Sequence, residues 1–108
     1  MNEHKEKILN ICNASSKNTL METLEIEYVD VGADFLVGRM PVNPRVHQPD
    51  GVLHGGAMVA LAESVGGAAS YIFIHKGKTT QLWDIKITDE ANQLISVCKL
   101  TTIALPRE

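Results

Sequence analysis

The residues of this 108-residue chain best suited to chemistry lie between Gln48 and Glu63. Gln48 sits in a loop, and its amide can donate to a carbonyl oxygen. His54-Gly55-Gly56 follows and opens the most apolar stretch of the chain. The first four N–H groups of a helix lack an intrahelical partner, and glycines there let another group approach them, so the pair reads as an anion or oxyanion site. Glu63 comes eight residues after Gly55, on the helical face shared with Gly56, Val59, Gly67 and Ser70. A carboxylate among Ala and Val is costly unless paired or used, and desolvation there should raise its pKa. Loop Gln, His-Gly-Gly and mid-helix Glu together supply an electrophile binder, an oxyanion hole and a base or nucleophile. Singly, each has a plainer reading: Gly55-Gly56 admits a crossing strand, His54 merely starts a helix, and Glu63 reaches solvent or a donor at a subunit contact.

Other chemistries lack their residues. His4, His47, His54 and His75 show no i,i+4 pairing and no neighbouring Cys, so no metal set is expected, and no cofactor. There is no GxGxxG after a strand, no P-loop and no Gly-x-Ser-x-Gly elbow. Ser64 follows Glu63 but has no adjacent His, which disfavours a serine nucleophile.

The elements that must position these residues follow an α-β-β-α-β-β order. Residues 3–14 read as a short amphipathic helix ended by Asn13 to Asn18. From Thr23 the pattern alternates, with Leu24, Ile26 and Tyr28 on one side, which predicts a half-buried strand. Phe35 to Val42 predicts a second strand, joined to the first by the tight turn Val31-Gly32-Ala33-Asp34. Residues 43–51, with two prolines and Gly51, predict an ordered loop. Val52 to Ile74 is the most apolar stretch, and its Ala, Met, Leu and Ser content after Gly55-Gly56 predicts a helix, apolar nearly all round and therefore buried. Thr80 to Thr88, with Gln81, Trp83, Ile85 and Ile87 on one face, and Leu94 to Leu105 predict two strands about the turn Asp89 to Gln93.

Composition narrows the function classes. The length suits one domain, and 44% hydrophobic with 21% charged residues is ordinary for a soluble globular protein. Ten Lys plus Arg against thirteen Asp plus Glu give a net charge of −3, which leaves nucleic-acid binding no electrostatic footprint. Cys12 and Cys98 have no ligand spacing and follow a polar, charged start, so reduced thiols in the cytoplasm are expected. The apolar stretch is long enough to span a bilayer, but Glu63 would sit near its centre at a cost of about 2.5–3.5 kcal/mol, so no membrane is expected.

The run Gln48-Pro49-Asp50-Gly51-Val52-Leu53-His54-Gly55-Gly56-Ala57-Met58-Val59-Ala60-Leu61-Ala62-Glu63-Ser64 resembles the hot-dog-fold acyl-CoA thioesterases, in the PaaI-like branch with the Arthrobacter-type 4-hydroxybenzoyl-CoA and bacterial dihydroxynaphthoyl-CoA thioesterases. Similarity extends over Leu24 to Val42 and over Leu82 to Thr102. The resemblance implies an α+β fold in which an antiparallel sheet wraps a central helix and subunits pair edge to edge, as a homodimer or homotetramer. It implies that Glu63 attacks the thioester carbonyl or activates water, that the Gly55 N–H polarises that carbonyl, and that Gln48 and His54 orient the thioester. Gly56, Ser64 and Gly67 are the expected substrate-binding positions. The chain departs from the family twice: Gly67 stands where a Ser or Thr is usual, and two further strands with their turn are absent between Lys78 and Gln81.

Helix geometry adds a constraint of its own. Eight residues at 1.5 Å each put Gly55 and Glu63 roughly 12 Å apart along one helix axis. A reacting carbonyl must lie within about 3 Å of both donor and nucleophile. The expected site is therefore shared, with Glu63 of one subunit facing Gln48, His54 and Gly55 of another. The expected reaction is hydrolysis of a small aromatic or short-chain acyl-CoA; the alternative is a degenerate hot-dog protein that binds acyl groups without turnover.

Overall fold

The computed structural model describes residues 3–73 and 80–103. It divides into two compact units, residues 1–65 and 66–108, and the division falls inside the longest helix.

The first unit opens with α1, Glu3–Ser15, which buries Leu9. A short helix, α2, Leu20–Thr23, follows, with the Thr19 hydroxyl accepting from the Met21 N–H at 3.2 Å. Here the structure departs from the expected strand at Thr23. The Leu24 and Glu25 N–H groups bond back to Leu20 and Glu22, and Glu25 takes a φ of 59°, so this segment closes a turn. The strand β1 runs over Glu27–Val31 and pairs antiparallel with β2, Leu36–Arg39. The predicted turn is present, with the Gly32 N–H on the Phe35 carbonyl at 2.9 Å. β2 is shorter than predicted and ends before Pro41, which has no N–H to give a ladder. An irregularity between Tyr28 and Asp30 lets Tyr28 and Val31 both face inward, three residues apart.

One side chain joins α1 to β1. The Asn13 amide accepts from the Tyr28 N–H at 2.8 Å and donates to the Tyr28 carbonyl at 3.0 Å, as a neighbouring strand would. Lys5 adds an ion pair to Asp30 at 2.9 Å.

The helix α3, Gly55–Ile72, begins in the first unit. It is not buried all round as expected. Ala57 and Ala62 are buried, whereas Val59 is 67% exposed and Glu63 is exposed too.

In the second unit β3, Thr80–Thr88, pairs antiparallel with β4, Leu94–Ile103. The predicted face Gln81, Trp83, Ile85, Ile87 is the half-buried one. Asp89 holds the turn by accepting from the Ala91 and Gln93 N–H groups, each at 2.9 Å. Gly66 brings this part of α3 close to the sheet: a Cβ there would lie 2.5 Å from Leu100 Cδ2. The described strands form two two-stranded sheets rather than one of four. Of the predicted ends, Ile74, Ala104 and Leu105 lie outside the described residues, as do Lys78 and Thr79 where two strands were expected to be absent. Among the described residues α3 ends at Ile72 and β3 starts at Thr80. None of their helices is long and apolar enough to cross a membrane.

Candidate active site

Gln48, His54, Gly55 and Gly56 gather at the start of α3. A 3-10 turn, Pro44–Val46, capped by the Asn43 side chain, delivers the chain to a narrow loop. The His54 N–H donates to the Val46 carbonyl at 2.7 Å, and the Gln48 N–H to the Val52 carbonyl at 2.8 Å. His47 and Leu53 pair as an isolated bridge, and Gly51 turns the loop with a φ of 82°, a region that favours glycine. The Gln48 side-chain oxygen accepts from the Asp50 N–H. That leaves its NH₂ as the group available to a substrate oxygen.

His54 caps the helix. Its Nδ1 accepts from the Gly56 N–H at 2.8 Å, and its carbonyl accepts from Ala57 at 3.0 Å and Met58 at 3.2 Å. An Nδ1 that accepts places the ring proton on Nε2. The expected bank of bare N–H groups is thereby corrected: three of the first four are used, and the Gly55 N–H is the one left open. Gly56 is not available as an N–H donor to substrate, because His54 has taken it. A Cβ on Gly56 would lie 2.9 Å from the His54 ring, so glycine is what lets that ring sit there. Among the described residues, nothing lies within 4 Å of the Cβ position of Gly55.

Glu63 and Ser64 lie further along α3. The desolvation expected at Glu63 is absent from the single chain. The carboxylate stands on the exposed side with Val59, while Ala57 and Ala62 fill the buried side. Ser64 is half-buried, and its carbonyl accepts from the Tyr28 hydroxyl at 3.2 Å. Gly67 belongs to the second unit and is half-buried. Alternation places Tyr28 on the inward side of its strand but shows no role for its hydroxyl. A tyrosine at an inward position was the available signal, since a buried O–H needs an acceptor.

Comparison with known proteins gives the family. No protein-family model matches the chain. The proofreading thioesterase EntH of Cronobacter turicensis is 34% identical over 128 aligned positions, covering 90% of this chain and 93% of the relative. The crystal structure of a glutamine-to-alanine mutant of the Pseudomonas aeruginosa thioesterase PA1618 superposes with a TM-score of 0.82 at 31% identity, covering 88% of this chain and 91% of that one. A glutamine-to-alanine mutant of the Staphylococcus aureus thioesterase SAV0944 gives a TM-score of 0.74 at 30% identity over 81% of this chain and 98% of that one. A second SAV0944 structure carries alanine for a glutamate fifteen positions after that glutamine. The fold is thus that of the thioester hydrolases the chain resembles. The chain belongs to the hot-dog-fold thioesterases.

The EntH alignment is longer than the chain: about 31 of its 128 positions hold no residue of this chain.

Proposed function

We propose that this chain hydrolyses a small aromatic or short-chain acyl-CoA at a site shared by two copies, in the PaaI-like branch of the family. The Gly55 N–H of one copy polarises the thioester carbonyl, and the Gln48 NH₂ and His54 Nε2–H orient the thioester. Glu63 of the second copy takes a proton from water as its oxygen attacks the carbonyl carbon, or attacks that carbon itself to form an anhydride that water then opens. The C–S bond breaks either way, and the acid and the coenzyme A thiol leave.

The observation that carries this reading is the open Gly55 N–H and the exposed Glu63 on one helix, too far apart for one carbonyl. The two SAV0944 variants support the choice of residues: their glutamine and glutamate have the spacing of Gln48 and Glu63. Exposed Val59 beside Glu63 supports a second copy as the cover. Pairing of such dimers into a tetramer is compatible with the same site. Free Cys12 and Cys98 fit a reducing, cytoplasmic setting. Thiol release from a panel of aromatic, short-chain and long-chain acyl-CoA substrates tests the reading. Turnover should be fastest with the small acyl groups and lost in Glu63→Gln; binding without thiol release would favour the binding-only alternative.

A further inference from the structure

Tyr28 is the side chain that ties the first sheet to the turn of α3 bearing Glu63. Its ring is 3% exposed, and its hydroxyl donates to the carbonyl of Ser64, the residue after Glu63, at 3.2 Å. A mid-helix carbonyl already has its intrahelical donor, so this bond is not required to satisfy the backbone; it adds a fixed point from outside the helix. Tyr28 is itself held on both backbone groups by the Asn13 amide. From the neighbouring strand, Gly38 meets the next residue of the turn, where a Cβ would lie 2.6 Å from Val65 Cγ2. Ser64 and Val65 thus meet both strands of the hairpin.

We propose that Tyr28 is a positioning residue for Glu63, its hydroxyl fixing the turn of α3 that presents the carboxylate. The idea rests on Glu63 being the base or nucleophile, and its basis is the chain of contacts Asn13–Tyr28–Ser64. Burial, then the charges of Cys12 and Glu63, push the Tyr28 hydroxyl pKa up from 10.0, which keeps it a donor across the working range. Small errors in the placement of a catalytic group cost rate even when binding is intact.

Two measurements test it. Tyr28→Phe removes only the hydroxyl, and it should lower kcat about three- to tenfold while KM stays within about twofold. A parent-like kcat, even with a lower melting temperature, makes Tyr28 a core residue alone and overturns the proposal. The second measurement does not need that variant to fold. Burial, then Cys12 and Glu63, push the Tyr28 hydroxyl up, so absorbance titration of tyrosinate should show a late group. A titration with no late group would put the hydroxyl in solvent rather than on the Ser64 carbonyl and overturns the proposal. Should Glu63→Gln keep full turnover, the catalytic reading has failed. A dead Glu63→Gln beside a fully active Tyr28→Phe defeats the positioning role alone.

Discussion

The two units bury apolar surface unequally. Among the described residues, the buried hydrophobic side chains of the first unit are Leu9, Ile26, Tyr28, Val31, Val46, Ala57 and Ala62, and of the second Ala69. Both contain an antiparallel hairpin and part of α3, so element type does not explain the contrast. In the first, α1 closes on β1 through Asn13 and Lys5. In the second, the inward face of β3 is only half-buried, and the Trp83 indole nitrogen is buried without a partner. Leu82, Val97 and Ile103 also face outward, exposed. The first unit buries more apolar side chains and holds most of the expected site, although Val37, Val52 and Val59 stay exposed there too. The chain lacks roughly 31 positions of the EntH alignment, and a shorter chain buries a smaller share of its surface.

The contrast can be tested by perturbing each side, and the largest effects should come from the chemistry of the first unit. Glu63→Gln should reduce turnover by about 10²–10⁴, the usual worth of a general base, with little change in unfolding because the side chain is exposed. Parent-like thiol release would remove Glu63 from the mechanism. Gly55→Pro should cost about 10²–10³ in turnover. Proline is tolerated at the first helical position, and the Gly55 N–H makes no internal bond, so circular dichroism and melting temperature should stay near the parent.

Packing perturbations should be smaller and asymmetric. Gly38→Ala drives a Cβ to 2.6 Å from a stiff valine, Val65, and should destabilise by about 1–3 kcal/mol in denaturant unfolding. Gly66→Ala meets the mobile end of Leu100 at 2.5 Å and gains about 1 kcal/mol of helix propensity, so its net cost should be below that of Gly38→Ala. The reverse order would mean that the second unit is the better packed.

The smallest effect concerns the α1 tie. The hydrogen bond from Lys5, then that from the Val31 N–H, lowers the Asp30 pKa below 3.8. A depressed folded pKa means the carboxylate's contribution is present above the unfolded value and is lost as pH falls through the folded one. Stability should therefore fall as the pH drops below about 3.8, and Asp30→Asn should flatten that part of the curve. An unchanged acid limb would show that this tie contributes nothing measurable.

Much of this was legible in the sequence where periodicity was strong and the ends were chemically marked. β3 and its inward face were readable because alternation runs unbroken from Thr80 to Thr88, and the start of α3 because His-Gly-Gly marks it. The strand expected from Thr23 was misplaced because alternation ignores local bonding: the Thr19 cap commits Leu20–Thr23 to a helical turn. The burial of Glu63 was overestimated because composition says how apolar a helix is, not which side its own chain covers. The Gly56 N–H was expected to be free because nothing in a residue string shows that the preceding His turns back onto it.

The shared site is tested most directly by mixing two inactive variants, Glu63→Gln and Gly55→Pro, unfolded and refolded together in equal amounts. Random pairing makes about half the dimers mixed, each with one intact site of two, so turnover should return to roughly a quarter of the parent value. No recovery, with mixed dimers demonstrated by mass spectrometry of differently tagged chains, would contradict a site built from two copies.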